Sequence, residues 1–277
     1  MLTLSKNYPI LVDDEAKSQT LKFWSSDSKE SYSKNFKSGW EYENSEDLVY
    51  EFNEWGYRTK NIDDLDKDFA LVFGCSYTEG IGLYQKDIWC EKLCKELDID
   101  IFNLAKGGSS PCISYMNTTL YVKNLIRYKP KLVICQWPQA FRRTFSHLQE
   151  KSEKVIMADE YDLKMVGYNI NTEASNMDMS WFKDRWLKED GEMYKESFFN
   201  FYSTDILWKA LDVPVYHWTW SGDFTNKDDK PFGFIEDNEI RVIKNKSNDK
   251  ARDNGHDGKQ IHSDVVDFLI DDIRKLL

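Results

Sequence analysis

The chain has 277 residues, of which 41% are hydrophobic and 15% aromatic, enough for a sizeable core in one domain with additions. A formal net charge of −11 argues against a nucleic-acid backbone or an anionic membrane as the main partner, because both would repel it. No apolar run approaches the ~18 residues that a membrane helix needs.

The N-terminus, "MLTLSKNYPILVDDEAK", lacks the basic start and apolar core of a secretory leader, so the expectation is a cytoplasmic protein with free thiols. Residues 1–66 are polar and irregular, yet they carry Trp24, Trp40 and Trp55. A disordered tail would be poor in aromatics, so this stretch reads as an ordered extension packed on the main domain. Short apolar runs then begin: "FALVFG" (69–74), "IDIFNLA" (99–105), "KLVICQW" (131–137) and "VPVYHWTW" (213–220). Runs of this kind mark buried parallel strands, and "NEIRVI" (238–243) is a candidate fifth. Segments of helical length and period lie between them, at 86–97, 110–128 and 193–211, with a last amphipathic one from Gln260 to the C-terminus. Alternating strands and helices predict an α/β protein, a three-layer α/β/α sandwich around a mainly parallel sheet of about five strands. Residues 148–192 are too long for an ordinary loop and carry Trp181 and Trp186; a cap or lid is the expectation. Cys90 and Cys94, four apart on a helix, read as packing residues or as half of a metal site that no second Cys or His pair completes.

Ligands of open α/β sheets bind beyond the carboxyl ends of the strands, which directs attention to three loops. Ser76 follows the first regular strand by two residues; Gly74 allows the sharp exit, and the Thr78 hydroxyl is expected to cap the next helix. The spacing is not the G-x-S-x-G elbow, since position 78 is Thr. "FNLAKGGSS" (102–110) follows the second strand, and backbone N–H groups near Asn103, Gly107 and Gly108 can face a developing negative charge. Of the four histidines, His147 begins the insertion, His217 reads as a satisfied core residue, and His262 lies in the last helix. His256 stands three residues after Asp253, an offset that lets the carboxylate reach Nδ1–H and leaves Nε2 as a base. The same cluster also fits a solvated helix start or a metal-dependent hydrolase using His256 with Asp257.

In this order the motifs resemble the SGNH, or GDSL-type, hydrolase family, from about residue 66 to the C-terminus. "FGCSYTEGIGL" resembles the first block, Gly-Asp-Ser followed by Thr and Gly, which implies Ser76 as nucleophile. "NLAKGGSS" resembles the second block, which implies that Gly108 and the Ser76 amide serve the oxyanion hole. "DNGH" resembles the closing Asp-x-x-His, implying Asp253 and His256 as the rest of a triad. "EFNEWGYRT" (51–59) resembles the Asn-x-x-Gly-[Phe/Tyr]-Arg stretch that often precedes such domains. Two departures stand out. Cys75 replaces the acid of Gly-Asp-Ser, and the third block, Gly-x-Asn-Asp, is absent, so Gln136 or Gln139 is the expected replacement for its Asn donor.

The resemblance implies a flavodoxin-like SGNH domain at 67–277, interrupted by the insertion 148–192 and preceded by the extension 1–66. It implies a serine esterase acting on O-acyl, in particular O-acetyl, esters of carbohydrates, with no cofactor and no metal. Trp137 and Arg142 are candidate substrate-binding residues, and Arg142 with Arg143 would suit an anionic or sugar substrate. The partner expected is a small-molecule or glycan ester, with neither nucleic acid nor membrane. An O-acyltransferase with the same triad, or a glycan- or protein-binding descendant without catalysis, stays open.

Overall fold

The computed structural model describes residues 2–5, 7–44, 47–140, 142–149, 162–168, 190–220, 240–243 and 248–277. The extension holds β1 (Leu2–Leu4), β2 (Val12–Asp13), β3 (Thr20–Leu21), α1 (Lys29–Asn35) and β4 (Tyr50–Glu51). The main domain follows with β5 (Phe69–Phe73), α2 (Ser76–Glu79), α3 (Trp89–Glu96), β6 (Asp100–Asn103), α4 (Pro111–Asn124) and β7 (Leu132–Trp137). Then come β8 (Arg143–Gln149), β9 (Asp162–Tyr168), α5 (Asp190–Ala210), β10 (Val215–Thr219), β11 (Arg241–Val242) and α6 (Lys259–Arg274).

The central sheet has the order β11-β10-β7-β5-β6, and every pairing in it is parallel. Counted along the chain this is the 2-1-3-4-5 order of doubly wound folds, in which the strand order reverses beside the first strand. β5 and β7 are continuous runs of buried residues because both of their faces are covered. Their side chains alternate between two cores. Ala70, Val72, Leu132 and Ile134 meet Trp89, Leu93, Val265 and Leu269 from α3 and α6. Leu71, Phe73, Val133 and Trp137 meet Ile113, Tyr121, Phe201 and Trp208 from α4 and α5. The molecule is therefore the expected three-layer α/β/α sandwich. Cys90 and Cys94 lie buried in the first of these cores, where burial pushes both thiols up. Among the described residues no helix is long and apolar enough to cross a membrane.

One expectation needs adjustment. The predicted helix over 86–97 is a short 3-10 turn, Gln85–Asp87, followed by α3. Within the candidate fifth strand at 238–243, Arg241–Val242 form β11, which pairs with β10 through Trp218 and Thr219, while residues 238 and 239 lie outside the described residues. The second sheet, β2-β1-β9-β8, is antiparallel and joins the extension to the segment after β7. Part of the predicted insertion is thus a strand hairpin; residues 150–161 and 169–189, with Trp181 and Trp186, lie outside the described residues.

Most aromatics of the extension are packing residues: Tyr42, Tyr50, Phe52, Trp55 and Tyr57 are buried, whereas Trp24 and Trp40 are half-buried. The stretch that precedes the domain has a mechanical role. Asn53 Oδ1 accepts the N–H groups of Trp55 and Tyr57, both at 3.0 Å, and Gly56 turns at φ +82°. A Cβ on Gly56 would stand 2.4 Å from the Asp13 carbonyl oxygen, so only glycine fits. The turn aims Arg58, itself buried, at the carbonyls of Gly80 (2.6 Å) and Leu83 (2.9 Å). A second buried arginine, Arg252, donates from Nε and Nη2 to Asp27 at 2.7 to 3.0 Å and fastens the extension to the loop before α6.

His262, on the first turn of α6, accepts the Trp89 N–H on Nδ1 at 3.0 Å and stacks on Tyr77 with ring centroids 4.3 Å apart. Burial first, then the charges of Lys92 and His256, push it down to about 3 from the ordinary 6.5. The unfolded chain therefore binds a proton that the folded chain refuses, and stability falls as pH drops from 6.5 towards 3. Denaturant unfolding across that window should show a slope of up to ~1.4 kcal/mol per pH unit from this residue, and His262→Gln should flatten it. An unchanged slope in a folded variant would contradict this origin.

Candidate active site

Three loops meet at the carboxyl ends of β5, β6 and β7, where the strand order reverses. After Phe73 the chain turns at Gly74, and α2 begins at Ser76. A Cβ on Gly74 would sit 2.4 Å from Thr78 Oγ1 and 2.8 Å from Gln136 Oε1, so the exit needs glycine's size. Thr78 does not cap α2 as expected. Its hydroxyl donates to Gln136 Oε1 at 3.0 Å and accepts Trp89 Nε1–H at 3.2 Å, and Cys75 takes the cap position without a side-chain bond. As the first residue of α2, Ser76 has an N–H with no partner inside the helix. The half-buried Ser76 hydroxyl faces Cys75 Sγ at 3.8 Å and, among the described residues, is not bonded to His256.

The closing loop brings Asp253 and His256 together. Asp253 Oδ1 accepts the N–H groups of Gly255 and His256, both at 3.0 Å. Oδ2 lies 2.6 Å from His256 Nδ1 and accepts the Ser26 hydroxyl at 2.7 Å. Burial alone would raise the Asp253 carboxyl; the bonds from His256 and Ser26 outweigh it and bring the group down to about 2. A carboxylate held so low only accepts, so Nδ1 carries the proton and Nε2 keeps a free lone pair. His256 is a quarter exposed at its side chain while Asp253 is buried, which leaves the base open to a ligand and the acid protected.

Gly82 explains how this loop comes close to the nucleophile segment. Its φ is +76°, its carbonyl accepts Arg252 N–H at 2.9 Å, and a Cβ there would stand 2.9 Å from Ala251 Cβ and 3.2 Å from Asp253 N. The second-block turn approaches from the other side. A Cβ on Gly107 would lie 3.8 Å from both Ser76 Cβ and Ser25 Oγ. Gly107 N–H is taken by Glu79 Oε2 at 2.6 Å, whereas Gly108, exposed and at φ +74°, has an N–H without a hydrogen bond among the described residues.

Gln136 lies directly beneath the nucleophile turn. Its Oε1 accepts the Cys75 N–H at 3.0 Å, and because a backbone amide can only donate, the side chain cannot be flipped. Nε2 is buried and, among the described residues, has no hydrogen-bond partner. Gln139 is half-buried, and its backbone carbonyl accepts Arg142 N–H at 3.1 Å. Arg142 reaches the Ser109 carbonyl with Nη1 at 3.4 Å, placing it against the second-block turn. Trp137 is elsewhere. It is fully buried in the core beside α5, donating from Nε1 to His217 Nδ1 at 3.0 Å. His217 in turn faces Asp205 Oδ1 at 3.2 Å, the satisfied core histidine that its strand position predicts. The side chain of His147 lies outside the described residues.

Sequence reasoning missed Ser26 and Glu79, and it singled out the stretch that holds Arg58 without giving that residue a task. Glu79 has a weak signal, since a charged residue inside "YTEGIGL" has to be either exposed or paired. Ser26 is 227 residues from Asp253, and nothing local marks it.

Comparison with family models and with curated proteins gives no match. Among solved structures the chain is similar to an acetyl xylan esterase from the rumen bacterium Butyrivibrio proteoclasticus, at 12% identity and a TM-score of 0.44, over 75% of this chain and 64% of that one. It is also similar to a carbohydrate esterase at 11% identity and TM-score 0.43, over 75% of this chain and 65% of that one. A lipolytic protein of the G-D-S-L family from Desulfitobacterium hafniense gives 10% identity and 0.40, over 76% and 99% of the two chains. This chain thus spans less than two thirds of the length of the two esterases. The likeness is loose in all three, and the functional reading rests on the geometry above.

Ser26→Ala removes one of the donors that hold Asp253 low. The Asp253 carboxyl should rise measurably above about 2, read from its carboxyl carbon shift in an NMR titration, with the fold retained. An unmoved titration would show that the backbone N–H groups and His256 suffice.

Proposed function

We propose that the chain is a serine esterase that cleaves O-acyl esters through Ser76, His256 and Asp253. The observation that carries this reading is the buried Asp253 carboxylate on His256 Nδ1, at the sheet edge to which Ser76 and the free Gly108 amide also belong. In the reaction His256 Nε2 takes the proton of Ser76 as its oxygen attacks the ester carbonyl. The N–H groups of Ser76 and Gly108 receive the oxyanion, and Gln136 Nε2, a buried donor without a partner among the described residues, is the third candidate. Asp253 stabilises the imidazolium, which then protonates the leaving alcohol; water, activated by the same base, releases the acid. Among the described residues no hydrogen bond joins Ser76 to His256, and the reading requires one to form in the substrate complex.

The described surroundings of Ser76 favour a short acyl group on a hydrophilic carrier. Ser25 and Gly107, beside Ser76, and Ser26, on Asp253, are small or polar, and Arg142 adds a positive charge beside the second-block turn. These features suit an acetyl ester of a carbohydrate better than a long-chain lipid ester.

Steady-state hydrolysis of 4-nitrophenyl acetate, butyrate and octanoate, with acetylated xylo-oligosaccharides alongside, tests the reading. The acetate should be preferred. Ser76→Ala and His256→Ala should each lower kcat/KM by about 10⁴-fold or more, and Asp253→Asn by a similar order. Acetyl appearing on an added sugar instead of in water would identify a transferase with the same triad. A folded wild-type protein without turnover on any ester would favour a glycan- or protein-binding role and contradict the proposal.

A further inference from the structure

Glu79 ends the short helix that Ser76 begins, and it is completely buried. A buried carboxylate is costly by several kcal/mol unless its oxygens are partnered, so its partners identify its task. Oε2 accepts Gly107 N–H at 2.6 Å; Oε1 accepts Trp24 Nε1–H at 3.0 Å and faces Lys106 Nζ at 3.2 Å. Lys106 is buried too. It pairs with Asp13 Oδ2 at 2.8 Å, donates to the Gly56 carbonyl at 3.1 Å, and lies 4.4 Å and 4.9 Å from the ring centroids of Trp24 and Phe52. One network thus joins the nucleophile helix, the second-block turn and the extension.

The turn carries two adjacent glycine amides, and a flexible glycine pair can present either. Glu79 takes the first, and among the described residues the Gly108 amide is left without a partner. Glu79 also ties together the segments of the two amides that the esterase reading assigns to the oxyanion hole, because Ser76 begins the helix that Glu79 ends and Gly108 directly follows the Gly107 that Glu79 holds. Lys106 offsets the negative charge that would otherwise oppose an oxyanion nearby.

We propose that Glu79 is a positioning residue that fixes the Gly107–Gly108 turn so that the Gly108 amide faces the oxyanion, with Lys106 holding Glu79 in place. Its catalytic consequence rests on the esterase reading, whereas the placement of the turn is measurable without turnover.

Glu79→Gln keeps the shape but has one acceptor and one donor end, so it cannot serve Gly107, Trp24 and Lys106 together. With 4-nitrophenyl acetate, kcat should fall about 10- to 100-fold while KM stays within about twofold, as expected for a misplaced oxyanion donor. Phenylboronic acid, which forms a tetrahedral adduct on an activated serine, should weaken by a similar factor. A purely structural role would lower the melting temperature and leave both ratios unchanged, and that result would overturn the proposal. Amide hydrogen exchange of the wild-type protein is the second measurement. Gly107 should be protected at least ~10-fold more than Gly108, and Gly108 should slow when the boronate binds. Equal exchange at the two glycines would also overturn it. Wild-type protein that neither hydrolyses the ester nor binds the boronate would contradict the esterase reading, and the Gly107 exchange rate would still decide the placement of the turn.

Discussion

The pairing of Arg252 with Asp27, both withdrawn from solvent, is the constraint on which the site depends. Removing two charges from water is expensive, and such a pair contributes more to geometry than to net stability. Here it is closed on every side: Tyr50 donates to Asp27, Lys22 offers its carbonyl to Arg252, and the guanidinium lies over the Phe23 ring at 4.7 Å. The residues beside the pair are the ones that matter chemically. Ser26 precedes Asp27 and reaches the Asp253 carboxylate; Asp253 follows Arg252 and its carbonyl accepts Asn35 Nδ2–H at 3.0 Å. An ion pair between distant chain segments thus places the acid of the candidate triad inside a shell built by the extension.

A similar logic governs the nucleophile turn. Where the resembled family has an acid before the serine, this chain has buried Cys75, which cannot fasten a loop with charge. Gln136 supplies the support from the neighbouring strand, accepting the Cys75 amide and the Thr78 hydroxyl on one oxygen. Arg58 grips the carbonyls that follow α2, and Glu79 ties the end of α2 to the second-block turn. The turn is thus tied through buried Gln136, Arg58 and Glu79 to three other segments, β7, the extension and the second-block turn.

Local features were legible in the sequence, and distant ones were not. β5 and β7 announce themselves because strands covered on both faces need unbroken apolar runs, and the alternation with helices follows. The Asp253–His256 bond was readable because both partners lie in one loop at an offset of three. Gln136 was found as a residue type, but a side chain's direction is not written in its position: it supports the loop with its oxygen, and only its nitrogen is left for the hole. Trp137, proposed for substrate, alternates onto the opposite face from Gln136, so strand periodicity already placed it in the core with His217. The work of the extension depends on contacts across more than two hundred residues, such as Ser26 to Asp253 and Asp27 to Arg252, which leave no periodic trace.

The central claim is that Asp253 and His256 activate Ser76. The most direct measurement is the intact mass and peptide map of the folded protein after treatment with a fluorophosphonate at neutral pH. The account predicts one adduct, on Ser76, that is absent from the His256→Ala variant. A folded wild-type protein without an adduct, or an adduct on Ser76 that persists in the His256→Ala variant, would contradict it.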